Sequence, residues 1–165
     1  MKKFALPLAF MSLLSLAAAS TPGNNLVVLN DGAKLCYDGY AVVDGKESKT
    51  LNKSAETRMS AMLSGLGIKA SEFDAADRCD RVVALTYEMD NKGAPGIVVA
   101  RLELLSNLTL DNDQDVALPT LWEGRTWRAQ KGVYSTQDAQ KVFDTVLSDL
   151  FKMFKDDYAQ RNPKK

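Results

Sequence analysis

The sequence predicts an α+β domain: an antiparallel sheet of four to five strands with two helices packed on one face, including a long C-terminal helix. Three observations support this prediction. Several segments alternate between apolar and polar residues, as half-buried strands do. Two further segments repeat apolar residues at helical spacing, and the longer one lies near the end of the chain. Strands joined by short loops run antiparallel, and two amphipathic helices must then cover one face of their sheet.

The predicted strands begin with a hairpin. Residues 26–29 and 34–43 are rich in β-forming side chains and flank the turn signal Asn30-Asp31-Gly32. The next two strands alternate clearly, and their predicted inward positions are Val83, Leu85, Tyr87 and Met89 in the first and Val98, Ala100, Leu102 and Leu104 in the second. Residues 121–129 form the predicted last strand.

Two helices are predicted. The first covers residues 55–64, with Ser54 as its N-cap and two glycines after its end. A short turn is expected at residues 71–76. The second helix starts after the N-cap Ser135 and ends at Asn162, because the residue before a proline avoids the α region. Its apolar stripe is wide enough to require burial and consists of Ala139, Val142, Phe143, Val146, Leu147, Leu150, Phe151, Phe154 and Tyr158.

The composition excludes several kinds of chemistry. The 165 residues include 21 basic side chains, 21 acidic side chains and no histidine. Without histidine the chain has no Ser-His-Asp or Cys-His catalysis, no histidine-ligated zinc and no histidine pH switch. The balanced charge gives no reason to expect nucleic acid as a partner. We therefore expect a protein that is not an enzyme and has no cofactor.

The first nineteen residues have the three-part pattern of a secretory signal peptide. Lys2 and Lys3 precede an apolar run at residues 4–16, and the alanines at 17–19 mark a cleavage site. The apolar run is shorter than the roughly 20 residues that a bilayer span needs. Cleavage is therefore the favoured reading, an uncleaved membrane anchor is the alternative, and no transmembrane segment is expected after cleavage.

The chain divides into a signal peptide at residues 1–19, a flexible leader at 20–25 and one α+β domain at 26–162. Such a chain is exported, to the periplasm or to the extracellular space, where the conditions are oxidising. Its two cysteines, Cys36 and Cys79, therefore predict one disulfide. They are far apart in the sequence, unlike the closely spaced pairs of thiol redox catalysts.

The last predicted strand contains a candidate binding patch: Trp122, Arg125, Trp127 and Arg128. Tryptophan and arginine are frequent at binding hot spots. The odd separation of the two tryptophans places them on opposite faces of the strand, with Arg128 on the face of Trp122 and Arg125 on the face of Trp127. One tryptophan then belongs to the core and the other to the surface, and a purely structural role for both is the alternative.

Asp111, Asp113 and Asp115 form a candidate metal site, because alternating carboxylates begin many calcium-binding loops. The remainder of the segment departs from that pattern. Val116 stands where the loop needs glycine, and Trp122 stands where it needs a bidentate glutamate. The sequence therefore favours a solvated loop over a metal site.

The order of several segments carries a resemblance to a known group of proteins. The segments are a helix ending in Leu63-Ser64-Gly65-Leu66-Gly67-Ile68, Ala76-Asp77 before a strand at 82–89, a strand at 98–104, Leu121-Trp122-Glu123-Gly124-Arg125, and a helix at 142–154. In this order they resemble small bacterial envelope α/β domains, including periplasmic domains of uncharacterised lipoproteins and transport-auxiliary proteins. The chain differs from the lipoproteins in having no lipid-attachment cysteine. The resemblance implies a binding or assembly role and no catalytic residues.

Together these observations predict an exported, non-enzymatic binding or assembly protein of the bacterial cell envelope. Its partner would be an envelope protein or lipid that docks on a sheet face or a sheet edge. Two alternatives stay open. One is a small-molecule or lipid carrier, in which the sheet and the Phe-rich helix enclose a pocket. The other is a hydrolase that uses carboxylates as acid and base.

Overall fold

A computed structural model describes residues 24–74, 78–106 and 120–163 of the chain. The described part starts with a 3-10 helix at Asn24–Asn30 and continues with strands and two α-helices. Their bounds are β1 Leu35–Val43, β2 Lys46–Glu47, α1 Lys49–Gly65, β3 Ser71–Glu72, β4 Arg81–Asp90, β5 Gly96–Ser106, β6 Thr120–Gln130 and α2 Thr136–Arg161. The α+β class predicted from the sequence is confirmed.

The long strands form one sheet in the order β1-β4-β5-β6, and the short strands β2 and β3 pair with the outer edge of β1. The β4–β5 and β5–β6 pairs are antiparallel, as predicted. The β1–β4 pair is parallel over its whole length. Parallel neighbours need a crossover connection, which α1 provides. The sheet is therefore mostly antiparallel, with a parallel pair that the sequence did not predict.

Residues 26–29 do not form a strand, so the predicted N-terminal hairpin is wrong. They belong to the 3-10 helix, in which Leu26 is fully buried. This helix packs against α2 and β6. The guanidinium of Arg81 donates to the carbonyl oxygen of Val28 and to the Asp31 carboxylate, which fixes the segment to the start of β4. A short apolar run indicates burial correctly, but it does not distinguish a strand from a helical segment.

The first α-helix also starts earlier than predicted. It begins at Lys49 and not at residue 55, and its N-cap is Ser48 instead of Ser54. The Ser48 hydroxyl accepts a hydrogen bond from the backbone N–H of Leu51 at 3.5 Å. The first turns carry mostly polar side chains, so hydrophobic periodicity alone did not include them.

The structure departs from the prediction at Ser71–Glu72 and agrees with it at both ends of the C-terminal helix. The expected turn at residues 71–76 is replaced at its start by the strand β3. The second helix begins after Ser135, as predicted, and the Ser135 hydroxyl accepts from the backbone N–H of Asp138 at 3.1 Å. It ends at the predicted C-cap, Asn162. No helix in the described ranges is both long enough and apolar enough to cross a membrane.

Both helices cover the same face of the sheet. Gly39 of β1 allows α1 to approach closely, because a Cβ atom there would lie 3.0 Å from the Cβ of Ala55. Residues paired in register share a face, and Gly39 is paired with Leu85 of β4. The predicted inward side chains of β4 and β5 belong to this face, and all of them are buried.

The apolar stripe of α2 packs against sheet side chains. Phe143 meets Tyr87 edge-on, and Phe154 meets Trp122 edge-on, with ring centroids 5.0 Å apart in each pair. All four rings are almost completely buried. At these positions the stripe contributes to a filled core, and the carrier alternative loses the pocket that it needed there.

The predicted disulfide between Cys36 and Cys79 is present. By strand alternation, Cys36 points away from the helices, so the bridge lies on the opposite face of the sheet near the start of β1. Backbone N–H groups of Asp80 and Arg81 donate to the carbonyl oxygen of Lys34 at 2.9 and 3.2 Å. The disulfide and these hydrogen bonds hold the chain against β1 just before β4 begins.

Candidate functional site

The face of the sheet opposite to the helices is the candidate functional site. Its side chains come from alternate positions of the four long strands. We call this surface the open face and define it by Asp38, Tyr40, Val42, Ala84, Thr86, Glu88, Ile97, Val99, Arg101, Glu103, Glu123, Arg125 and Trp127. Four of its side chains are large, apolar and exposed: Tyr40 at 49%, Ile97 at 42%, Val99 at 48% and Trp127 at 47%.

The apolar part of the open face is centred on Trp127. The register of β5 and β6 places Val99 directly opposite Trp127, and Ile97 two residues along β5 from Val99. Side chains directly opposite each other have Cβ atoms about 5 Å apart. The three side chains therefore form one continuous apolar surface near the edge strand β6.

The charged part of the open face lies beside this apolar surface. Arg101 is paired with Arg125 across β5 and β6, and Glu103 is paired with Glu123. Like charges directly opposite each other are unfavourable, but diagonal contacts offset this here. The guanidinium of Arg101 lies 3.6 Å from the Glu103 carboxylate and 3.5 Å from the Glu123 carboxylate. Arg125 donates to Glu123 through both Nε and Nη2.

The arginines are the outermost atoms of this charged network. The Arg125 side chain is 62% exposed, whereas that of Glu123 is only 13% exposed. The hydrogen bonds to Glu123 raise the pKa of Arg125, so its guanidinium stays charged. The network presents cations above covered carboxylates, next to the apolar surface.

The residues of the candidate binding patch divide between the two faces, in the pairs that their spacing predicts. Arg125 and Trp127 lie on the open face. Trp122 is 1% exposed, and its Nε1 donates to the Asp157 carboxylate of α2 at 2.8 Å. Gly124 leaves room for the Trp122 indole, because a Cβ at that position would lie 2.8 Å from the ring. The structure thus does not bring the two tryptophans together.

Arg128 lies on the helix side of β6. Its guanidinium donates to the Asp149 carboxylate of α2 and, at 3.2 Å, to the hydroxyl of Thr126. It also borders a shallow depression of about 280 Å³ that is lined by Arg128, Ala129, Gln130, Tyr134, Lys141, Val142 and Thr145. Burial raises the pKa of Tyr134, and Arg128 partly opposes that shift. Arg128 is therefore engaged in joining β6 to α2.

Comparisons with known proteins give structural matches alone. No family model and no curated protein matches the sequence. Among solved structures, the chain is similar to the PelC dodecamer from Paraburkholderia phytofirmans, with 16% sequence identity, 73% of this chain and 83% of that chain covered, and a TM-score of 0.39. It is also similar to protein XCC0632 of family DUF330 from Xanthomonas campestris, with 14% identity, 74% and 81% covered, and a TM-score of 0.37.

The candidate metal site falls outside the described residues. Asp111, Asp113 and Asp115 all lie in the segment 107–119, which the structure does not describe. In the ranges that are described, no three histidine, cysteine, aspartate or glutamate side chains come together in a group that could hold a metal ion.

Sequence reasoning missed three apolar residues of the open face: Tyr40, Ile97 and Val99. A signal for them was present, because each lies at a position whose strand neighbours point inward. In a strand with one solvated face, such positions are normally polar. The register is needed to show that Val99 lies beside Trp127 on the neighbouring strand.

Proposed function

We propose that this chain is an exported, non-enzymatic binding protein of the bacterial envelope that docks on another envelope component through its open face. The observation that carries the proposal is the continuous apolar surface formed by Ile97, Val99 and Trp127 on that face. Contiguous exposed apolar patches often mark interaction sites, whereas apolar side chains that are scattered singly over a surface do not. Tryptophan beside arginine is also the typical composition of a binding hot spot, and Arg125 supplies the arginine.

Two features support export. The first nineteen residues carry the pattern of a signal peptide, with Lys2 and Lys3 before an apolar run. The disulfide between Cys36 and Cys79 fits an oxidising compartment, where such bonds form and persist. Together they favour the periplasm or the extracellular space as the place where the open face meets its partner.

The charge of the open face favours a protein partner over an anionic lipid surface. Arg101 and Arg125 are balanced by Glu103 and Glu123, and Asp38 and Glu88 add two further exposed carboxylates. Surfaces that bind anionic lipid carry an excess of lysine and arginine. A face of mixed charge beside an apolar patch fits the composition of protein interfaces.

The test is quantitative binding to a partner isolated from envelope extracts with the tagged wild-type protein. Trp127→Ser should weaken the affinity by about thirtyfold or more, because a central aromatic hot spot contributes at least about 2 kcal/mol. Val133→Ser is the matched control, since Val133 is 55% exposed but lies outside the open face. Equal affinity of the wild type and both variants would refute the proposal. Trp122→Ala is not suitable, because it empties the core.

A further inference from the structure

We infer that the protein segment that docks on the open face is basic, and that it places an arginine side chain over Val99, between Trp127 and Glu88. The inference rests on the proposed function, since it uses the same surface and names the chemistry of the partner. It is supported by the row in which these three residues lie, by the contacts of the neighbouring arginines and by the net charge of this side of the sheet.

Glu88, Val99 and Trp127 form one row across three neighbouring strands. Glu88 of β4 is paired with Val99 of β5, and Val99 is paired with Trp127 of β6. All three side chains are exposed. Adjacent strands lie about 4.8 Å apart, so the Cα atoms of Glu88 and Trp127 are separated by roughly 10 Å. The short Val99 side chain between them leaves space above it for a side chain of a partner.

Both arginines of the open face are directed to carboxylates other than Glu88. Arg101 is the diagonal neighbour of Glu88, but its guanidinium lies 3.6 Å from the Glu103 carboxylate and 3.5 Å from that of Glu123. Arg125 also donates to Glu123. Within the described ranges, no basic side chain lies at ion-pair distance from Glu88. Its carboxylate is therefore available to a cation from a partner.

The remainder of this side of the sheet has the same sign of charge. Asp38 and Asp90 add exposed carboxylates on β1 and β4. Lys92 follows β4, but its ammonium points to the turn at Gly45, where it would lie 3.7 Å from a Cβ atom. Carboxylates thus outnumber guanidinium groups here, and a partner of complementary charge is basic.

Arginine fits the row better than lysine does. Its guanidinium is planar and weakly hydrated, and it stacks on aromatic rings and pairs with carboxylates. Tryptophan attracts cations more strongly than other aromatic side chains, within about 6 Å of the ring. Ile97 extends the apolar surface along β5 from Val99, so apolar neighbours of the arginine also find contacts. A segment of a protein supplies both the cation and these apolar side chains.

Peptide titrations followed by NMR test the inference on the exported, oxidised chain. The probe is acetyl-Gly-Leu-Arg-Leu-Gly-amide, and its neutral counterpart carries citrulline in place of arginine. The chain has two tryptophans, and Trp122 is buried in the core. The indole N–H signal of Trp127, assigned from Trp127→Ser, should shift with the arginine peptide, whereas that of Trp122 should not. The citrulline peptide should bind at least about fivefold more weakly.

Variants of Glu88 test the role of its carboxylate. Glu88→Gln should weaken binding of the arginine peptide about threefold, and Glu88→Arg should make the chain prefer a peptide with glutamate in place of arginine. Glu88→Gln preserves the shape of the side chain and covers the case in which Glu88→Arg does not fold. The matched control is Asp156→Asn, which removes an exposed carboxylate of α2 and should leave the affinity unchanged.

Three results would overturn the inference: no shift of the Trp127 signal at about 10 mM arginine peptide, equal affinity for the arginine and citrulline peptides, or equal affinity of the wild type and Glu88→Gln. Binding of N-acetylarginine amide as tight as that of the peptide would also overturn it, because a free cation would then be sufficient. If one of these results is found but Trp127→Ser still weakens binding to the envelope partner, the basic segment is refuted and the proposed function stands.

Discussion

Tyr87 places a phenol hydroxyl inside the core. Its ring packs on Phe143, and the residue is fully buried. Among the residues that the structure describes, no group forms a hydrogen bond with this hydroxyl. Burial raises the pKa of Tyr87, and nearby Tyr134 raises it further. A buried polar group without a partner reduces stability, because it loses its hydrogen bonds to water.

Replacement of Tyr87 by phenylalanine should therefore not destabilise the protein. We expect Tyr87→Phe to leave the free energy of unfolding at pH 7 unchanged or to raise it by up to about 1 kcal/mol in urea titrations. Above pH 10 the unfolded wild type loses the phenol proton while the folded state retains it, so stability falls as pH rises. The variant should lose less stability in that range. A loss of 2 kcal/mol or more at pH 7 would mean that the hydroxyl is hydrogen-bonded after all.

The pKa of Asp31 is lowered, whereas that of Tyr87 is raised. Hydrogen bonds from the Arg81 guanidinium and from the backbone N–H of Ala33 lower the pKa of Asp31 to about 2 from 3.8. The resulting stabilisation is present above pH 4 and is lost as pH falls towards 2, because the folded state must then take up the proton that the unfolded state already holds. Asp31→Asn should thus lower Tm at pH 6 and leave it unchanged near pH 2.

The control for this measurement is Asp38→Asn, which alters an exposed aspartate of β1. Melting curves of the wild type and both variants are compared from pH 2 to pH 6. The same Tm difference at every pH between the wild type and Asp31→Asn would contradict the role assigned to the ion pair.

The contact between α1 and β1 depends on a glycine. A Cβ at Gly39 would lie 3.0 Å from the Cβ of Ala55 and 3.2 Å from the carbonyl oxygen of Asn52. The same helix is tied to the strand by the Asn52 side chain, which accepts from the backbone N–H of Ala41 at 2.7 Å. The helix is thus both close to the strand and hydrogen-bonded to it, with little freedom to move away.

Gly39→Ala should destabilise the protein by about 1–3 kcal/mol, the usual cost of overpacking. The matched control is Gly93→Ala, because a Cβ at Gly93 meets no atom within 4 Å. Both values come from urea unfolding at neutral pH. If the two substitutions had equal effects, the close approach of α1 to β1 would be refuted.

The disulfide joins the start of β1 to the chain just before β4. It closes a loop between Cys36 and Cys79, which are 43 positions apart. The chain-entropy estimate for a loop of this size is about 4 kcal/mol. We expect the double variant Cys36→Ser, Cys79→Ser to lose about that much unfolding free energy, and reductant to have a similar effect on the wild type. A loss below about 1 kcal/mol would contradict a structural role.

At the scale of elements, the sequence predicts local patterns well and non-local pairings poorly. The extents of β4, β5, β6 and α2 follow from alternation, helical spacing and caps, which act within a few residues. The 3-10 helix at Asn24–Asn30 was missed because a short apolar run fits several buried structures. The parallel pairing of β1 with β4 was missed because it depends on a crossover, which no short segment encodes.

The same distinction applies to the candidate site. The alternation of side chains along a strand was sufficient to place Arg125 and Trp127 on one face and Trp122 and Arg128 on the other. The sequence did not predict the apolar continuity of Val99 with Trp127, since it depends on the register between two strands joined by the long segment 107–119. The side chains that share a face built from several strands can be identified only when the registers of all these strands are known.

For the molecule as a whole, the proposal of export makes a direct prediction about mass. The protein recovered from the periplasm should begin at Ser20 and should be lighter than the reduced chain by two hydrogens, because Cys36 and Cys79 are joined. Intact mass spectrometry with and without alkylation measures both features. Retention of residues 1–19, or two freely alkylated thiols without reductant, would contradict the prediction.

The parallel pairing of β1 with β4 also sets the order in which the molecule can assemble. Leu35 meets Arg81, so the first long strand finds its neighbour only after β4 has become available. The β4-β5-β6 meander has shorter connections and can pair early, whereas β1 must wait and dock on it. A chain that crosses a membrane N-terminus first would therefore emerge with its first strand unable to fold alone. Such a chain would present β1 without its long pairing partner until β4 had followed it.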